Sequence, residues 1–221
     1  WPYERQALVK LRPLCGDPRF GEIVAALRDE FIYSGKAFDT EAMRGMRERQ
    51  LRQLVAPGKF NAKFSPGGLV DIEYLVQGLQ MIHAREFPEI KAPNTRAALR
   101  AMRDVGLLSE ANFQTLNSSC IFLRRLIDAL RVVRGDAKDL SVPLPNTEEF
   151  QFLGRRMGFE DSTAKLYQDL QDHASRVIAI NFTSEDPELA AAAANAIAEE
   201  YIALQRSAKR DTTADAAAWL S

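Results

Sequence analysis

Ser109–Gly135, SEANFQTLNSSCIFLRRLIDALRVVRG, decides the architecture of this chain. Leu116, Cys120, Leu123, Leu126, Ile127, Leu130 and Val133 recur at steps of three and four, the spacing that lines one face of an α-helix. Ser109 is a residue type that caps a helix start, and Gly135 one that ends it. A helix this long with an unbroken apolar stripe needs neighbours to cover it, and the flanking sequence supplies them.

Upstream, Leu69, Ile72, Leu75, Val76, Leu79 and Ile82 repeat the pattern and predict a helix of about four turns that ends before Pro88. Asn94 and Thr95 suit the cap of the next helix, and Gly106 and Ser109 divide it from the long one. Phe20, Ile23, Val24, Leu27 and Phe31 share one face of a helix that begins near Asp17 and Pro18 and is ended by Gly35. A further helix starts at Asp39 or Thr40 and carries Met43, Met46, Leu51 and Leu54, with Arg44, Arg47, Arg49 and Arg52 between them, until Pro57 and Gly58.

Downstream, Asp136 to Asn146 holds Pro143 and Pro145, lacks periodicity and reads as a loop. A short helix near Thr147 to Met157, one from Ser162 to Ile180 and an alanine-rich one from Asp186 to about Ser207 follow. The last has an apolar face of Leu189, Ala193, Ile197, Tyr201 and Leu204. No alternating apolar pattern bounded by turn chemistry appears, so the expected fold is all-α, a multi-helix bundle. Its expected organisation is a single domain over residues 1–208, with leading helices in 1–59, central helices in 60–158 and C-terminal helices in 159–208, then a tail in 209–221.

A chain of 221 residues with 46% hydrophobic content can bury a substantial core. Its 29 basic and 30 acidic side chains create no global field to recruit nucleic acid or an anionic membrane, and neither is expected as a partner. Residues 1–59 are mildly basic, with 11 basic against 8 acidic side chains, a bias that solvated helix faces explain. Cys15 and Cys120 form no CxxC pair and have too few histidines near them for zinc, which fits a reduced, cytoplasmic protein. No apolar run approaches the roughly 20 residues that span a bilayer. Opening on Trp1 rather than methionine, the chain is expected to be a piece of a longer protein.

One segment departs from ordinary helix and connector: Lys63, Phe64, Ser65, Pro66, Gly67, Gly68, Leu69, Val70, Asp71, Ile72, Glu73. Paired glycines before a helix let the backbone approach another group closely, and the free amides of a helix start favour anions such as phosphate. That chemistry predicts a turn exposed at one end of the bundle, beside the first helix. A competing reading needs no ligand, because a carboxylate in the first turn suits the helix dipole in any protein. Asp71 and Glu73 diverge by about 200° on a helix, so they cannot clamp one metal ion.

Elsewhere the candidates are weaker. His83 and His173 sit in helices without a nearby nucleophile or second histidine and read as surface or packing residues. The arginine series from Arg44 to Arg52 reads as a solvated face, as do Arg124 and Arg125, although one of that pair should lie close to the apolar stripe.

The string Lys63-x-x-x-Gly67-Gly68-Leu69-Val70-Asp71-Ile72-Glu73-Tyr74, continued by Leu75, Val76 and Gln77, resembles the signature of glutamine synthetase adenylyltransferases. Trp1, Glu4, Arg5, Gln6, Ala7, Leu8 and Arg12 resemble the leading helix of that family, and Thr40, Glu41, Met43, Met46 and Arg47 the helix before its signature loop. Asn94, Thr95, Ala98 and Leu99, then Gly106, Leu107 and Leu108, then Phe122, Leu123, Arg124, Arg125 and Leu126 complete the series over about residues 1 to 158. Beyond that the chain reads as generic helix. Leu126, Ile127 and Asp128 depart from the family's Leu-Glu-His.

The resemblance implies a helical domain that follows a catalytic nucleotidyltransferase domain, in an enzyme that attaches AMP to glutamine synthetase or removes it under the signal protein PII. ATP and magnesium would be held upstream by a Gly-Ser turn and an Asp-x-Asp pair, which are absent here, so this chain alone is expected to be inactive, with no catalytic or metal-binding residue of its own. It further implies that Lys63, Gly67, Gly68, Asp71 and Glu73 lie near the nucleotide, and Val70 with Asp71 favours the adenylylating half. A similar Gly-Gly-Leu-x-Asp-Ile string occurs in PII uridylyltransferases, which keeps that function open, and a non-catalytic docking module is the third alternative.

Overall fold

A computed structural model of the chain describes residues 2–35, 38–135, 138–159 and 162–183. They form α1 (Pro2–Leu8), α2 (Pro18–Ile32), α3 (Thr40–Leu54), α4 (Leu69–His83), a 3₁₀ turn (Pro88–Lys91), α5 (Thr95–Asp104), α6 (Glu110–Arg134), α7 (Glu148–Met157) and α8 (Thr163–Thr183). The fold is an all-α bundle. The alanine-rich stretch near 186–207 and the tail from 209 lie outside the described residues.

Local chemistry sets the helix ends as expected. Asp17, Asp39, Asn94, Ser109 and Thr147 each cap a helix by accepting a hydrogen bond from a backbone amide of its first turn. Gly135 closes α6 in the left-handed conformation, φ 63°.

The long helix α6 is the axle. Leu116, Cys120, Leu123, Leu126 and Leu130 have no solvent exposure, and α4, α5, α7 and α8 pack around them. Burial of such side chains contributes about 1.5–3 kcal/mol each, the main stabilising force of the bundle. Helix α1 rests on α4 and carries α2 and α3 on its outer side. The loop after α6 returns to the loop before α4, where Ala62 N donates to Leu140 O (2.9 Å) and Val142 N to Phe60 O (2.7 Å). That pairing fixes the approach to α4 against the core.

Helix α2 departs from a simple reading of its stripe. Phe20, Ile23, Leu27 and Phe31 are 67, 57, 60 and 46% exposed, while Gly21 and Ile32 are the buried residues of this helix. The side that meets α1 is chosen by the small Gly21, which sits against the Pro13 ring, and by Ile32 at the end of the helix, whose carbonyl accepts from Arg5. Arg124 and Arg125 are both exposed, and Arg125 reaches the Met157 carbonyl at the end of α7.

Candidate functional site

The signature segment folds as a closed turn leading into α4. Asn61 organises it: its side-chain oxygen accepts from Lys63 N and Phe64 N, both at 3.0 Å, and its amide donates to Ser65 Oγ at 2.7 Å. Gly68 N donates to Ser65 O, Leu69 N to Ala62 O, Val70 N to Lys63 O and Asp71 N to Gly68 O. Every amide at the start of α4 is therefore used by the turn itself.

This corrects the expectation of an exposed anion cradle. Gly67 and Gly68 are buried, and Gly67, at φ 74°, lies against the backbone of α8, so close that a β-carbon there would stand 2.4 Å from the Ala174 carbonyl oxygen. The glycine is needed for both the positive φ and the close approach of two backbones. The anion these amides do hold is internal: Gly67 N donates to Asp71 Oδ2 at 2.7 Å.

Asp71 is 5% exposed, and its other oxygen accepts from Arg47 Nε at 2.7 Å. Arg47, whose side chain is 16% exposed, also reaches Ser65 O at 3.3 Å. Within the arginine series only Arg47 enters the interior; Arg44 pairs with Glu48, and Arg49 and Arg52 face solvent. Reading the series as a solvated face missed this. The available signal was the placement of Arg47 on the same helix face as Met43, four residues earlier.

Glu73 points elsewhere, as its offset from Asp71 requires. It accepts from Lys10 Nζ at 2.5 Å and Arg124 Nη2 at 3.3 Å. Three elements thus meet in one partly exposed cluster with two cations and one carboxylate. Lys63 is half-buried, its ammonium 4.9 Å from the Phe64 ring centre. The five signature residues divide accordingly: Gly67, Gly68 and Asp71 form a buried frame, whereas Lys63 and Glu73 keep access to solvent. Asp71 and Glu73, each held by cations on different sides of α4, do not fit a shared magnesium site.

His173 lies beside this frame on α8. Its ring stacks on Phe122 with centroids 4.4 Å apart, and its Nδ1 is 3.0 Å from the hydroxyl of fully buried Ser119. Burial, and secondarily Arg176, holds its pKa below the usual histidine value. It is a packing residue, next to the Ala174 backbone that seals Gly67. His83 is partly exposed at the end of α4, where its carbonyl accepts from Glu86 N and Phe87 N.

A family model described as GlnD PII-uridylyltransferase matches residues 40–183. The match takes in α8. The bifunctional glutamine synthetase adenylyltransferase/adenylyl-removing enzyme of Streptomyces coelicolor is 33% identical over 162 residues, covering 71% of this chain and 16% of that enzyme. The enzyme of the same name from Xanthomonas axonopodis pv. citri is 30% identical over 207 residues, 91% of this chain and 22% of its own length. A third, from Mycobacterium leprae, is 31% identical over 144 residues. The chain spans less than a quarter of the length of the first two relatives.

Proposed function

The chain belongs to the family described as GlnD PII-uridylyltransferase, and from its likeness to relatives named glutamine synthetase adenylyltransferase/adenylyl-removing enzymes we propose that it is the helical domain of a nucleotidyltransferase that modifies glutamine synthetase with AMP. The observation that carries this reading is the cluster of Lys10, Glu73 and Arg124. The signature residue Glu73 gathers a cation from the leading segment and one from the central helix onto a partly exposed surface. Lys10, Arg124 and Lys63 would face the phosphates of ATP in the cleft shared with an upstream nucleotidyltransferase domain, and Glu73 would hold the first two in position.

Gly67, Gly68 and Asp71 act in this reading as the frame that fixes α4. Magnesium, when bound in the parent enzyme, neutralises the phosphates; its ligands belong to the upstream domain, since the carboxylates at this site are committed to Arg47, Lys10 and Arg124. The isolated chain transfers no nucleotide on this account. The partners are glutamine synthetase as the acceptor and PII as the signal, in the cytoplasm. The Val70-Asp71 form of the signature supports the adenylylating half.

A second reading, uridylylation of PII, is favoured by the description of the matching family. One experiment separates the two. The longer parent enzyme is incubated with labelled ATP and glutamine synthetase, and separately with labelled UTP and PII. Label on glutamine synthetase supports the first reading; label on PII alone establishes the second.

A further inference from the structure

Helix α2 turns its larger side chains away from the bundle. Phe20, Ile23, Leu27 and Phe31 fall within about 80° of one another around the helix and all are exposed, and Leu14, 80% exposed, extends the stripe onto the segment before it. Together the five expose roughly 600 Å² of apolar surface. The largest apolar patch of a typical monomer is about 300–600 Å² and is often functional, and a stable protein interface takes about 800 Å² from each partner, little more than half of it apolar. The stripe therefore has enough apolar area for one side of such an interface. The bundle itself does not use it: the side of α2 that meets the rest of the chain holds Gly21, against Pro13, and Ile32, and none of the five residues packs on the core.

The order along the stripe identifies an occupant. Phe20, Ile23, Leu27 and Phe31 run aromatic, aliphatic, aliphatic, aromatic, at steps of three, four and four, so the stripe reads nearly the same from either end. Two copies of α2 laid antiparallel about an axis near residue 25 set Phe20 against Phe31 and Ile23 against Leu27, twice over, as a two-fold contact between identical surfaces requires. Charge agrees with this arrangement. Among the described residues the ion pair of α2 is Arg28 with Asp29, which leaves Arg19 and Glu30 uncommitted. Both are exposed on one edge of the stripe, near opposite ends of the helix, and the antiparallel pairing brings Arg19 of each copy to Glu30 of the other. A parallel pairing would set like charge against like. Ala26, small and exposed midway along the same edge, lets the two helices approach closely.

We propose that the exposed face of α2 is a self-association surface, covered by the same face of a second copy of this chain in an antiparallel two-fold contact. None of the signature residues lies on α2, so the inference stands apart from the proposed function and is measured without any activity.

The test is sedimentation velocity of the 221-residue chain and of the longer parent enzyme, from about 1 to 100 µM, a range in which an interface of this modest size should assemble. Both are expected to form dimers. Ile23→Glu with Leu27→Glu should weaken the dimer at least about 100-fold and leave circular dichroism and melting temperature nearly unchanged, because both side chains are exposed in the single copy. Arg19→Glu should weaken it about tenfold, and Arg19→Glu combined with Glu30→Arg should restore it, a rescue that non-specific apolar association does not give. A chain that stays monomeric at the highest concentration, as it would with residues 184–221 folded over the stripe, would overturn the proposal. So would a dimer indifferent to the Ile23 and Leu27 substitutions, a charge exchange without rescue, or a parent enzyme that is monomeric while the chain pairs, since the rest of the longer protein would then cover the face.

Discussion

Arg47 on α3 and Asp71 on α4 form a buried ion pair, Nε to Oδ1 at 2.7 Å, whose carboxylate is completed by the amide of Gly67. Such a pair costs desolvation on both sides, and removing one partner leaves the other buried and uncompensated. Arg47→Ala should therefore lower stability by about 3 kcal/mol, measured by urea denaturation. Arg47→Met, which keeps the volume but not the charge, should lose nearly as much. A loss below about 0.5 kcal/mol for both would show that Asp71 is solvated in solution.

Asp71→Asn distinguishes structure from chemistry in the parent enzyme. If Asp71 orients the nucleotide, turnover should fall about 10 to 100-fold. Its burial against Arg47 adds an expectation that dipole complementarity alone did not: the melting temperature should fall as well, because the neutral amide leaves Arg47 without its counter-charge. Reduced stability with unchanged turnover at saturating ATP and magnesium would make Asp71 a purely structural residue.

Gly67 and Gly58 provide a matched pair. Both have positive φ, but a β-carbon at Gly58 meets nothing within 4 Å, whereas at Gly67 it meets the Ala174 backbone at 2.4 to 2.8 Å. Gly58→Ala should cost about 1–2 kcal/mol from backbone conformation alone. Gly67→Ala should cost about 2–5 kcal/mol, since α8 must also shift. Limited trypsin digestion at Arg176 should report the loosened helix; equal costs at the two positions would argue against the tight seat of α8 on the turn.

His173 makes the docking of α8 depend on pH. Its pKa is lowered in the folded chain by burial, so the unfolded chain binds the proton more readily and stability rises with pH across the interval between the two values. The contribution is present in full above the unfolded value of about 6.5 and is lost as pH falls through the folded one. Thermal melts between pH 5 and 8 of the chain and of His173→Gln should converge toward acid. Parallel curves would contradict this assignment.

How much of this was legible beforehand differs by level. The helix order, the caps at Asp17, Asp39, Asn94, Ser109 and Thr147, and the apolar stripe of α6 follow from periodicity and end chemistry, which are local. The orientation of α2 was not legible, because its larger apolar face points to solvent and the inward choice rests on Gly21 meeting Pro13 and Ile32 meeting α1, both long-range facts. At the site, the divergence of Asp71 and Glu73 was readable from helical geometry. The sealing of the glycine turn by Ala174 was not, since it depends on a helix distant in sequence arriving at the same place, and for Arg47 the inward face shared with Met43 was readable but its partner Asp71 was not. A pair of glycines before a helix looks the same whether the close neighbour is a phosphate or another backbone.

On the proposed function, the Lys10, Glu73 and Arg124 cluster serves nucleotide transfer. The direct measurement is AMP incorporation into glutamine synthetase by the parent enzyme carrying Lys10→Ala and Arg124→Ala together, at saturating ATP and magnesium. The Lys10 and Arg124 side chains are 39 and 47% exposed but Glu73, which loses both cations, is 16% exposed, so the melting temperature is measured alongside and incorporation is assayed well below it. Incorporation should fall by about tenfold or more as positive charge at the phosphates is lost. Full incorporation by the double variant would contradict the claim and return the cluster to an ordinary surface ion network.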